Sequence, residues 1–187
     1  MSQVRALLGA QFKVDMPKEE NIYLVEADPG WPDKFKAEKD LVEQTLGDWI
    51  DGGIHHVGST AVLGLTAKPI IDIMVGVGNL AKSREAIPLL EEVGYCYFPY
   101  RPEIMHWFCK PSPAHREFHL YLMEPGTSDW WARLAFRDYL RNHPEVAAEY
   151  VALKEALARQ YSRDREAYTE AKSEFIRAVL NRAPENI

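Results

Sequence analysis

Between Pro69 and Val77 the chain reads PIIDIMVGV, a run of nine residues in which a single carboxylate is the only charge. Strand geometry puts alternate side chains on opposite faces, so Ile71, Ile73 and Val75 share one face while Asp72 and Met74 share the other. An ionised carboxylate in such a setting is costly unless it is paired, hydrogen-bonded or bound to a metal. Any fold this chain adopts must therefore place a partner beside Asp72.

The stretch before it narrows the choice. IHHVG, ending at Gly58, reads as a short strand running into a turn, and Gly58, Ser59 and Thr60 form a tight turn whose backbone N–H groups and hydroxyls suit a phosphate oxygen. The same composition also makes an ordinary turn. Lys68 precedes the Asp72 strand and can serve either Asp72 or an anionic ligand. It can equally be a solvated loop lysine. Asp72 itself reads either as a structural acid or as a divalent-metal ligand or general base.

Elsewhere the pattern predicts a strand at 23–27, a turn at DPGWP, and a helix carried by Trp31, Phe35, Val42 and Trp49. A helix over roughly 80–92 stops at Gly94, and YCYFP, MHWFCK and EFHLYLM read as strands. In the last of these, His119 and Tyr121 share a face opposite Phe118, Leu120 and Leu122. His56 and His106 lie on other predicted strands, so a histidine-containing pocket follows, but no zinc spacing does.

The last third is helical: one helix from Ser128 to Leu140, one from Pro144 with Val146, Tyr150, Leu153 and Leu157 in phase, and one from Asp164. Arg133, Arg137 and Arg141 read as the charged outer face of the first. Tyr168 and Lys172 are four apart and share a helical face, with Arg165 a turn earlier. Residues 1–21 read as an N-terminal extension and residues 22–187 as one α+β domain, a mixed sheet flanked by helices.

With a formal charge of −6, extensive nucleic-acid binding is not expected, since that requires a basic face. No apolar run reaches the length of a membrane span. Two cysteines without metal or redox spacing and no signal-like start lead us to expect a reduced, cytoplasmic protein.

Taken together, HHVGSTAVLGLTAKPIIDIMVGV, EFHLYLMEPGTSDWWARLAFRDYLRNHPEVAAEY and DREAYTEAK resemble the GrpB family over nearly everything after residue 21. That family is similar to the nucleotidyltransferase fold, in which a Gly-Ser turn precedes a strand with two alternate carboxylates. The resemblance implies phosphate-turn roles for Gly58 and Ser59 and a first metal carboxylate at Asp72; Met74 stands where the second would be. Relatives tend to read His-Leu-His where this chain has His119, Leu120 and Tyr121.

On this basis the expected activity is transfer of a nucleotidyl group to a small molecule, or its ATP-dependent activation. Gly58, Ser59, Thr60, Lys68, Tyr168 and Lys172 would bind a nucleoside triphosphate, and Asp72 and His119 would act in catalysis and hold Mg2+. Glu103 and Glu124 are the acids that could complete the metal set. Two alternatives stay open: a non-catalytic nucleotide or anionic small-molecule binder on a degenerate transferase scaffold, and a metal-independent histidine-based enzyme on the same fold.

Overall fold

A computed structural model describes residues 21–183; the predicted N-terminal extension lies almost wholly outside them. Five strands form one sheet in the order β1-β2-β5-β4-β3: β1 (Ile50–Val57), β2 (Ile71–Val77), β3 (Cys96–Phe98), β4 (His106–Pro111) and β5 (Arg116–Met123). Only β2 and β5 run parallel; every other neighbouring pair is antiparallel. The architecture is therefore α+β with a mixed sheet, as the sequence predicts.

Alternation along β2 and β5 decides what each face does. Ile71, Ile73, Val75 and Val77 join Leu120, Leu122 and Phe108 in the main core. Helix α1 (Trp31–Leu46) covers this face with Trp31, Val42 and Leu46, and the short α2 (Ile87–Glu92) adds Leu90. The segment before α2, read as helix from residue 80, is a 3-10 turn over Lys82–Ala86. The predicted strand at 23–27 reduces to one bridge between Val25 and Ala67.

The opposite face meets the C-terminal helices, α3 (Ser128–Asn142), α4 (Pro144–Gln160), α5 (Arg165–Glu170) and α6 (Ser173–Leu180). Thr127 caps α3 by accepting from the Trp130 N–H, one residue ahead of the predicted cap, and Asp164 caps α5 through the Ala167 N–H. The predicted third helix is broken in two, and Lys172 sits at the break. Val62 and Leu65, in the loop after the Gly-Ser-Thr turn, pack with Leu140, Val146, Tyr150 and Val179, which ties the turn to the helical layer.

Candidate functional site

β2 and β5 are in parallel register with Asp72 beside His119 and Met74 beside Tyr121. His119 and Tyr121 both reach one oxygen of Asp72: His119 Nδ1 lies 3.1 Å from Oδ1, and the Tyr121 hydroxyl donates to it at 2.8 Å. Burial would raise the Asp72 carboxyl, but these two bonds and the nearby Lys68 charge hold it below its ordinary range. Burial holds His119 below its usual value despite the pull of Asp72. An ionised Asp72 beside a neutral His119 puts the imidazole proton on Nδ1 and leaves Nε2 a lone pair. That Nε2 is buried and, among the described residues, has no hydrogen-bond partner.

The other carboxylate oxygen faces the turn. Gly58 has φ of +71°, and a Cβ built there would stand 2.3 Å from Asp72 Oδ2. Glycine is needed twice over, for its conformation and for the approach of the acid. Thr60 is turned away, its hydroxyl donating to the Ile70 carbonyl at 3.1 Å and sitting 3.0 Å from His56 Nε2. Ser59 points to the helices: Lys154 Nζ lies 3.3 Å from its Oγ.

Cations gather on the same side. Lys68 Nζ lies 5.4 Å and Lys172 Nζ 4.2 Å from the centroid of the buried Tyr168 ring. Burial lowers the Lys68 amine to about 7, with the charges of Lys172 and Arg165 adding to the effect. Lys172 is lowered by burial to about 8, with Asp72 opposing. Lys154, 2% exposed, is lowered by burial and by Lys172 to about 7 while it donates to the Thr66 carbonyl and Ser59. Among the described residues none of these three lysines forms an ion pair with a carboxylate.

The structure thus brings Gly58, Ser59, Lys68, Asp72, His119, Tyr168 and Lys172 into one neighbourhood and directs the Thr60 side chain elsewhere. Of His56, His106 and His119 only His119 belongs there. His56 stacks on Phe35 of α1, its rings 4.6 Å apart, and burial takes it down to about 4; His106 bonds the Leu80 carbonyl at 2.8 Å. Both lie on the core face, because they pair with Ile73 and Leu122.

Sequence reasoning missed two features. Lys154 falls on the α4 stripe four residues after Tyr150 and three before Leu157, a signal that a lysine there is buried. The α3 arginines are not an outer charged face. Arg137 donates to the His56 carbonyl at 3.1 Å, Arg141 donates twice to the Ala61 carbonyl, and the Arg133 guanidinium lies 4.2 Å from the Tyr121 ring centroid. They hold the backbone on both sides of the turn and support the tyrosine that bonds Asp72.

The donor set does not fit the magnesium clamp implied by the resemblance. Magnesium favours an octahedron of oxygen ligands, whereas Asp72 Oδ1 already accepts two hydrogen bonds, one of them from the other expected ligand, His119. Met74, in the second acid's place, is fully buried with Val57, Met105, Met123, Trp130 and Leu134. Glu124 accepts from the Leu80 N–H at 2.7 Å, and Glu103 is exposed on a loop. Among the described residues no group of three His, Cys, Asp or Glu side chains could hold a metal ion. None of their helices is long and apolar enough to cross a membrane.

A mixed sheet with one hydrogen-bonded carboxylate, a glycine turn against it and lysines gathered beside it defines the class of protein. The chain belongs to the GrpB family, whose pattern it matches over residues 21–182. It is 41% identical over 170 residues to a UPF0157 protein of Pseudomonas aeruginosa, covering 88% of this chain and 69% of that one. It is 37% identical over 167 residues to the glutamate-rich protein GrpB of Alkalihalophilus pseudofirmus, covering 86% and 94%. The crystal structure of the conserved protein GrpB from Enterococcus faecalis superimposes with a TM-score of 0.78 at 30% identity, over 86% of this chain and 96% of that one. A more distant relative, 28% identical over 191 residues, is a dephospho-CoA kinase of Mycolicibacterium paratuberculosis; the match spans 87% of this chain and 46% of that protein.

Proposed function

We propose that the protein binds a phosphate-bearing small molecule, with a nucleoside triphosphate such as ATP the expected class, and transfers or activates a group on it. The observation that carries this reading is the half-buried pair Lys68 and Lys172 on the Tyr168 ring, placed beside Asp72 and, among the described residues, without an ion-paired carboxylate of their own. Cations crowded into a poorly hydrated site repel one another, and an anion relieves that repulsion. Ser59, next to Gly58, adds a hydroxyl on the helical side. The dephospho-CoA kinase name of one longer relative is a hint in the same direction. No step of the reading runs through a metal ion.

Calorimetric titration with ATP, GTP, CTP and UTP, with and without magnesium, tests it. Binding of at least one nucleotide without magnesium is expected. That binding weakens by about tenfold or more in Lys68→Ala and Lys172→Ala, the scale of one lost charge-assisted contact, and survives in Asp72→Asn. Binding that requires magnesium and disappears in Asp72→Asn would replace this reading with a metal-clamp one; no binding by folded protein would end it.

One observation favours acid–base catalysis over binding alone. With Nδ1 held by Asp72, the unpartnered His119 Nε2 has the arrangement of a general base oriented by a carboxylate. On this reading His119→Gln abolishes turnover of the bound ligand while leaving its affinity within about threefold, less than the loss of one hydrogen bond.

A further inference from the structure

Ser59 has a second relationship that phosphate binding does not need. It opens the 3-10 turn directly after β1 and is partly exposed, and its Oγ lies 3.3 Å from Lys154 Nζ. A nucleophile within reach of a base, with the base aimed by a third group, is the recurring geometry of covalent catalysis. Each part is present. Lys154 reaches Ser59 from α4 across the interface between the helices and the turn, and the Thr66 carbonyl fixes its amine. The Lys154 amine also lies 4.9 Å from the centroid of the Tyr150 ring, one helical turn earlier on α4.

The setting favours an uncharged amine. Lys154 is buried without a carboxylate partner among the described residues, and burial together with the nearby Lys172 brings its amine to about 7. At neutral pH a substantial fraction has a lone pair free to take a proton. A purely structural lysine would be better served by an acid, and among the described residues the one acting on it, Glu155, is its neighbour in sequence. Arg141, bonded twice to the Ala61 carbonyl, anchors the turn that presents Ser59.

We infer that Ser59 is a nucleophile activated by Lys154, and that it forms a covalent phosphoseryl or nucleotidylseryl intermediate with the phosphorus of the bound ligand. The ligand class rests on the phosphate-binding reading above; the Ser59 and Lys154 pair does not. In the step, Ser59 Oγ forms a bond to phosphorus as the bond from phosphorus to its leaving group breaks. The hydroxyl proton moves to Lys154 Nζ, which then returns it to the leaving group. No oxidant or reductant is involved.

The test uses a fluorophosphonate, whose phosphorus is attacked by activated serines with loss of fluoride, so that no natural ligand need be known. Peptide mass spectrometry of the full chain is expected to find one adduct on Ser59, absent in Ser59→Ala. The rate rises with pH through the neighbourhood of 7 and falls about a hundredfold in Lys154→Arg, which keeps the charge but cannot act as base. No Ser59 adduct on folded protein, or an unchanged rate in a Lys154→Arg variant that still melts cooperatively, overturns the inference. Should that variant fail to fold, the wild-type profile decides: a labelling rate flat from pH 6 to 9 overturns it. Calorimetry of the wild-type chain with ATP separates the two readings, since nucleotide binding without a Ser59 adduct would remove the covalent step alone. Labelling without nucleotide binding would remove the phosphate reading alone.

Discussion

The two faces of the β2 and β5 pair are made by the same seven-residue strand and its parallel neighbour, yet they obey different rules. On one face Ile71, Ile73, Val75, Leu120 and Leu122 are packed beneath α1 and α2, and each contributes by being removed from water. On the other, Asp72, His119 and Tyr121 are held by directed hydrogen bonds, while Met74 and Met123 complete an apolar patch under α3. A step of one residue along the strand changes the dominant force from burial to electrostatics. The polar face is therefore where small changes in geometry or charge should alter chemistry, and the apolar face is where they should alter only stability.

Converting Met74 to aspartate is the harshest way to break this contrast, because it asks the apolar patch to behave like the acid face. An added carboxylate would be buried among Val57, Met105, Met123, Trp130 and Leu134. The expected loss of stability is about 3–5 kcal/mol by denaturant melting, the usual cost of an uncompensated buried charge. Magnesium should not restore it. Recovery of stability by magnesium would show that the sheet still supports a two-acid clamp.

Gly58→Ala probes the seam between turn and acid. The added methyl meets Asp72 Oδ2 at 2.3 Å on a backbone with φ of +71°, so about 1–3 kcal/mol should be lost. Ligand affinity should fall with it, as the turn that carries Ser59 is displaced. A variant that melts like the parent would mean the turn can move away from the strand.

Titration makes the gentlest distinction. Lys68 and Lys172 are lowered to about 7 and 8 in the folded state, against about 10.4 in an unfolded chain. The unfolded chain thus binds more protons across that window, so melting temperature should rise with pH from about 7 towards 10. Below 7 the penalty is present in full. A phosphate-bearing ligand should offset it, giving a larger ligand-induced shift in melting temperature at pH 6.5 than at 9. Lys68→Met should flatten the rise, and a profile that falls with pH in this window would contradict the buried-cation picture.

Much of the architecture was legible in the chain. Alternation placed Asp72 and Met74 on one face of β2 and His119 and Tyr121 on one face of β5, and the register joined them as parallel neighbours. Tyr168 and Lys172 were legible as a pair through their spacing. His56 and His106 were not separable from His119, because the face a strand residue occupies depends on where helices cover the sheet. Lys154 and the three α3 arginines were hidden for a related reason: helical periodicity says which residues share a face, but not what that face meets.

By itself, then, the sequence determined the α+β class, the strand alternation and the turn with its lone acid, because these follow from local sterics and the period of apolar residues. Tertiary structure alone decided which groups satisfy Asp72, that Met74 is core, and that Lys154 reaches Ser59 from about 95 residues away in sequence. Contacts at such separation are set by how the helical layer docks on the sheet.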